Sequence, residues 1–133
     1  MSTAPQDFEL ITTDTGLVRI GYCFPSGFLL NNMKIHGSII CYGDTFLLWK
    51  PKSIDEIDID SLAILDLLKP IPDLVVLGCG KTGVVPPPQH LVQALWKKGV
   101  SLEVSDTNNA TATFNLLNQE GRKVVGALLP LAS

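Results

Sequence analysis

The run Val75-Val76-Leu77-Gly78-Cys79-Gly80-Lys81-Thr82-Gly83 superimposes two nucleotide-binding patterns. Gly78, Gly80 and Gly83 spell the G-x-G-x-x-G of a dinucleotide site, where glycines let the backbone approach a pyrophosphate at a helix N-terminus. Gly80-Lys81-Thr82 spells the end of a triphosphate-binding P-loop. That second pattern needs its first glycine at position 75, where Val75 sits inside an apolar, strand-like run. The dinucleotide pattern needs a helix beginning at its third glycine. Instead Val84-Val85-Pro86-Pro87-Pro88 follows, and each proline biases the residue before it away from helical angles. The helix therefore starts near Pro88, too far on, even though Glu103 or Asp106 stands where a ribose-binding acid would. What survives is a glycine turn at the carboxyl end of a strand. Gly78 and Gly80 serve either loop geometry or, with Asp106 and Thr107, a crevice for a small polar or anionic ligand where open α/β sheets place such sites.

Other chemistries lack their parts. His36 and His90 are the only histidines, and neither has a second ligand at metal spacing. Asp55, Asp58 and Asp60 lack the spacing and glycine of a calcium loop. Cys23, Cys41 and Cys79 are far apart with no C-x-x-C, which argues against a disulfide framework or structural zinc and for a reducing compartment. There is no Ser/His/Asp or Cys/His set, and Cys79 has no base nearby in sequence. The expectation is no catalytic residue, no metal and no cofactor. A net charge of -3 with few basic clusters argues against a nucleic-acid partner. The first residues carry neither a basic, apolar secretory leader nor the arginines of a mitochondrial one, and no apolar run reaches the length of a membrane span.

The elements that must position the glycine turn follow from patterning. With 46% hydrophobic and 17% charged residues, the 133-residue chain is expected to form one globular domain over its whole length. Short strands are predicted at Phe8–Thr12, Leu17–Cys23, Phe28–Leu30, Met33–His36, Ser38–Tyr42 and Thr45–Trp49, separated by Gly and Asn turn signals. Asn31-Asn32 reads as a tight hairpin, because asparagine tolerates positive φ. A helix is predicted over Ser61–Leu68, with carboxylates before it and Pro70 after it. The rest reads β-α-β-α-β: strands Asp73–Leu77, Ser101–Ser105 and Lys123–Leu129, with helices Pro88–Lys98 and Asn108–Glu120. Leu91, Val92, Leu95 and Trp96 form the expected inner stripe of the first helix. Ala110, Thr113, Phe114 and Leu117 form that of the second, with Asn108, Thr111, Asn115 and Asn118 on another face. The fold class is α/β: a mixed, mostly parallel central sheet with helices on both faces, preceded by antiparallel strands.

The series Leu77-Gly78-Cys79-Gly80, Gly99 to Thr107, Ala110 to Leu117, Glu120-Gly121-Arg122 and Gly126 to Pro130 resembles the Mth938-like family, also called DUF498. Gly27-Phe28, Asn31, Gly37-Ser38 and Trp49 match its first half more loosely, so the resemblance covers about residues 8–130. Cys79 departs from the more usual threonine. Within the family the chain most resembles the branch of mitochondrial complex I assembly factor 3. That resemblance implies a single-domain, three-layer Mth938-like fold without recognised catalytic chemistry. It also implies an assembly chaperone at the matrix side of the inner membrane, peripheral to it at most. The implied partners are an assembly factor 4-like protein and nascent quinone-module subunits, and a homodimer is left open. A cytoplasmic location is the alternative, since the branch and not the chain's own residues implies the mitochondrion. Gly78, Gly80, Asp106, Thr107, Asn115 and Arg122 are the candidate crevice or partner-contact residues. Asp106 and Thr107 can cap a helix, Asn115 can bond a neighbouring loop such as the glycine loop, and Arg122 can pair with Glu103, Asp106 or Glu120 or reach a partner. The apolar first-half strands and the segment around Trp49–Ile59 are candidate protein-binding surfaces.

Overall fold

The computed structural model describes residues 11–13, 16–81 and 86–132. Of the strand expected from Phe8, only β1 (Ile11–Thr12) falls among them, and Thr82 and Gly83 of the glycine run lie outside them. The remaining first-half strands are β2 (Ile20–Phe24), β3 (Gly27–Leu30), β4 (Met33–His36), β5 (Ser38–Tyr42) and β6 (Thr45–Trp49). Between β3 and β4, Asn31 and Asn32 have φ of 47 and 67°, the left-handed pair whose twist suits a two-residue hairpin.

The second half runs β7 (Leu74–Gly78), α1 (Gln89–Lys97), β8 (Ser101–Ser105), α2 (Thr107–Gln119) and β9 (Val124–Leu128). A six-stranded sheet has the order β1-β6-β5-β9-β7-β8, and β2-β3-β4 form a separate antiparallel sheet. The large sheet is mixed, as expected, but its parallel share is smaller than expected. β7 pairs parallel with β8 and β9, whereas β1–β6, β5–β6 and β5–β9 are antiparallel. Parallel neighbours need a long crossover, supplied for β7 and β8 by the α1 connection and for β7 and β9 by the path through α1, β8 and α2. β5 and β6, joined by the Gly43-Asp44 turn, can pair only antiparallel.

Strand alternation sends side chains to two cores. Val75, Leu77, Val125 and Ala127 meet Leu91 and Leu95 of α1 together with Leu62 and Leu65. Val76, Val124 and Leu128 meet Ala110 and Phe114 of α2, over which Phe28 and Leu30 of the small sheet also pack. Helices therefore cover both faces, and the small sheet shares the α2 face. Among the described residues no helix is long and apolar enough to cross a membrane.

Three expectations change. The helix before Pro70 is a 3-10 helix, Asp60–Leu67, with non-helical angles at Leu62. The reciprocal bonds of Asp58 with Ser61 tighten its entry: the Ser61 amide donates to Asp58 Oδ1 at 2.9 Å, and the Asp58 amide to Ser61 Oγ at 3.1 Å. Trp96 is not inward but 72% exposed, because nine-residue α1 touches the sheet mainly through Leu91 and Leu95, one turn apart. The buried stripe of α2 is Thr107, Ala110, Thr111, Phe114 and Asn118, so Thr111 and Asn118 move from the expected polar face to the interior. The cause is the Gly16–Phe24 segment, which lies along that side of the helix and whose backbone groups need partners.

Candidate functional site

At the carboxyl end of β7, two glycines answer two different constraints. A Cβ on Gly78 would stand 3.0 Å from Thr107 Oγ1 and 3.1 Å from both Ala110 Cβ and Thr107 Cα, so any side chain at residue 78 would have to push α2 away from the sheet by a few tenths of an ångström. Gly80 has φ of 96°, a left-handed angle that disfavours any other residue. Thr107 then locks the turn. Its amide donates to Gly80 O at 2.9 Å, its hydroxyl accepts from the Gly80 amide at 2.8 Å and donates to Leu129 O at 2.6 Å. The Cys79 amide bonds Ser105 O and the Leu129 amide bonds Gly78 O, tying the loop to β8 and to the end of β9.

Asp106 is the N-cap of α2. Its carboxylate accepts from the Asn109 amide at 2.9 Å and from Asn109 Nδ2 at 2.7 Å. The structure thus brings Gly78, Gly80, Asp106 and Thr107 together, Gly80 bonded to Thr107, Gly78 to Leu129 and Asp106 to Asn109.

Asn115 does not reach the glycine loop. Two turns along α2 it clamps the backbone of Ile20, accepting from its amide at 2.9 Å and donating to its carbonyl at 2.8 Å. Asn118 continues the series, donating to Gly43 O and Val18 O at 3.0 and 3.3 Å. The signal for this was present as asparagines at positions 108, 115 and 118 and threonine at 111, but their partners lie up to 100 residues away in sequence.

Arg122 is at the opposite end of the sheet. α2 runs back from the carboxyl ends of the parallel strands to their amino ends, where Lys123 O accepts from the Asp73 amide at 3.0 Å. A 13-residue helix separates Asp106 from Arg122 by about 20 Å. The pairing of Arg122 with Glu103, Asp106 or Glu120 is not formed. Among the described residues the ion pair is Lys98–Asp66, at 2.8 Å. Arg122 instead borders a groove of about 310 Å³ with Tyr42, Lys69, Pro70, Gln119 and Lys123. The Tyr42 hydroxyl donates to Pro70 O at 2.7 Å, and burial, with Asp73 nearby, raises its pKa.

Around Trp49, a groove of about 300 Å³ is lined by Leu48, Pro51, Glu56, Asp60 and Ser61 among others. Trp49 itself is 7% exposed, with its indole N–H donated to Ser61 O at 2.7 Å, while Leu48 beside it is 55% exposed. Cys23, Cys41 and Cys79 are buried, and no disulfide joins them. Burial raises the Cys41 thiol pKa. It also raises that of Cys23, with a smaller raising effect of Asp106, against the lowering effect of its hydrogen bond with Thr111. Among the described residues no cluster of three or more His, Cys, Asp or Glu could hold a metal ion.

The model of a family described as a protein of unknown function, DUF498/DUF598, matches residues 20–129. The chain belongs to this family. A Drosophila melanogaster protein named NADH dehydrogenase [ubiquinone] 1 alpha subcomplex assembly factor 3 is 37% identical over 89% of this chain and 61% of its own length. The Xenopus tropicalis protein of that name is 35% identical over 96% of this chain and 74% of its own length. The chain thus spans less than two thirds of the fly relative. A Bordetella pertussis protein described as a Mth938-like domain superimposes with a TM-score of 0.76 over 92% of this chain and 93% of its own. At 22% identity that likeness speaks for the shared Mth938-like fold alone. The DUF498 match includes Gly78, Gly80, Asp106, Thr107, Asn115 and Arg122. Within the matched span this chain carries a packed glycine turn and a helix cap at the carboxyl end of β7, and an asparagine clamp two turns along α2.

Proposed function

We propose that this DUF498 protein is a non-enzymatic assembly factor for respiratory complex I, acting by binding other proteins. The observation that carries the reading is the 34–37% identity, over most of this chain, to proteins named complex I assembly factor 3 in animals. The geometry is consistent with it. The glycine turn has its polar groups satisfied by Thr107 and its space filled by α2, which is how a structural corner is built and not how a reactive centre is poised. On this reading Gly78, Gly80, Asp106, Thr107 and Asn115 hold the fold, and Arg122 is the candidate partner contact.

The finer proposal is that the protein acts at the matrix side of the mitochondrial inner membrane on early intermediates. Its partners there would be an assembly factor 4-like protein and nascent quinone-module subunits. A clean deletion should deplete early complex I intermediates on native gels, and the tagged protein should recover those subunits from mitochondrial extracts. Normal complex I in the deletion strain would sink the proposal. Fractionation that places the protein in the cytosol would remove the mitochondrial location.

A further inference from the structure

Leu17, 47% exposed, borders three surface grooves at once, of about 210, 290 and 310 Å³. Arg19 borders the first two and Gln119 the first and third, so the three form one continuous band. It runs from the β3–β4 hairpin, past Arg19 and the Asn115 turn of α2, to Lys69, Arg122 and Lys123 beyond the end of that helix. Arg19, Lys69, Arg122 and Lys123 are all exposed, and none is in an ion pair with a described residue. Among the described residues no Asp or Glu lines any of the three grooves. Asp44, Asp73 and Glu120 flank them in sequence, and Asp73 acts on Tyr42. A chain of net charge -3 thus gathers four of its ten lysines and arginines along one band.

We propose that this band docks an extended acidic segment of a partner protein, its carboxylates meeting Arg19, Lys69, Arg122 and Lys123 in succession. The inference rests on the reading that the protein works by binding other proteins. Lys69, Arg122 and Lys123 line the third groove while Arg19 borders the other two, so the positive charge extends beyond one groove, which suits a chain and not a single small anion. Leu17 borders all three grooves, Leu29 the hairpin end and Pro70 the third groove, apolar stations for the side chains that separate the acids. Nucleic acid would call for more phosphate contacts and free stacking rings. The ring bordering the third groove belongs to Tyr42, whose hydroxyl is tied to Pro70. A second copy placing its own band here would set Arg122 and Lys123 against like charges, a costly juxtaposition.

The test is fluorescence anisotropy with the full chain and a labelled peptide of about 14 residues, alternating Glu or Asp with Leu or Phe, long enough to reach about 45 Å when extended. The same peptide with lysine for each acid, a thymidine oligonucleotide and polyphosphate are the comparison probes. The acidic peptide should bind, with affinity falling as salt is raised. R122E/K123E and R19E should each weaken binding about tenfold or more. K97E, on the exposed side of α1, should leave it unchanged. Circular dichroism should show each variant folded. In the wild type, bound peptide should slow hydrogen exchange of the amides at the end of α2, a reading independent of any variant. No binding of the acidic peptide, binding untouched by both reversals, or tighter binding of the oligonucleotide or polyphosphate would each overturn the proposal. In deletion cells the two readings separate. Full restoration of complex I intermediates by R122E/K123E would remove the band from assembly while leaving the assembly role intact.

Discussion

Thr107 is fully buried, and its hydroxyl and amide together close the turn on which β7, α2 and the end of β9 converge. Replacing it with valine keeps the shape but leaves the Gly80 amide and one bond of the Leu129 carbonyl unmet, in a place water cannot reach. An unsatisfied buried donor costs about 1–3 kcal/mol. T107V should therefore lower stability by about that amount in denaturant titration, while T107S, losing one methyl, should lose only about 1 kcal/mol. Equal losses for the two variants would show that the hydroxyl carries nothing. Cys41 makes a second prediction at this scale. Burial raises its pKa, so the thiol stays neutral as pH rises through the range where a free cysteine ionises, about 8.5. Thiolate-directed reagents should leave Cys41 unmodified in the folded chain at pH 8 and label it fully in denaturant. Fast native labelling would contradict its burial. Both residues sit in the sequence without a visible sign of their environment. Threonine after an acidic residue reads equally as a cap, and a lone cysteine reads as anything.

α2 is the element that departs most from what its apolar period implies. Its length, its Asp106 cap and the glycine beyond its end were all legible, because each depends on neighbours within four residues. Its orientation was not. Ala110 and Phe114 face the sheet as the periodicity implies, but Thr111 and Asn118 are buried under the Gly16–Phe24 segment, and Asn115 clamps β2 from the same flank. The asparagines thus act as a strip of side-chain amides that substitutes for a missing strand neighbour, giving the backbone at Val18, Ile20 and Gly43 its hydrogen-bond partners. N115A should cost about 1–3 kcal/mol. It should also accelerate hydrogen exchange at the Ile20 amide well before that at Val76, in the middle of the large sheet. Uniform acceleration across both would mean that the clamp has no local role. The same logic accounts for Trp96, since a short helix can bury one stripe only, and its neighbours Leu91 and Leu95 already fill it.

Over the whole molecule, β9 is the hinge of the architecture. It lies between β5 and β7, pairing antiparallel with one and parallel with the other, so the last strand of the chain joins the antiparallel first half to the β-α-β-α-β second half. Each face of the resulting sheet carries residues from both halves, Ile40 and Leu47 with Leu91 on one, Ile39 and Phe46 with Phe114 on the other. We therefore expect a single cooperative unfolding transition, with fluorescence and circular dichroism midpoints coinciding. Two resolved transitions would mean that the halves fold separately. The sequence by itself determined nearly every element and its ends, the hairpin at Asn31-Asn32, the cap at Asp106, the family, and the failure of both nucleotide patterns at Val75 and Pro86–Pro88. All of these are local matters, settled by side-chain type and spacing within a few residues. Only the tertiary structure decided that β9 inserts between β5 and β7, that Gly78 is a glycine because α2 lies on it, and that Arg122 stands at the far end of the sheet from the loop it was grouped with. Those facts depend on which distant segments meet, as Ile20 meets Asn115 across 95 residues. Periodicity records which side of an element is apolar; it carries no record of what will cover that side.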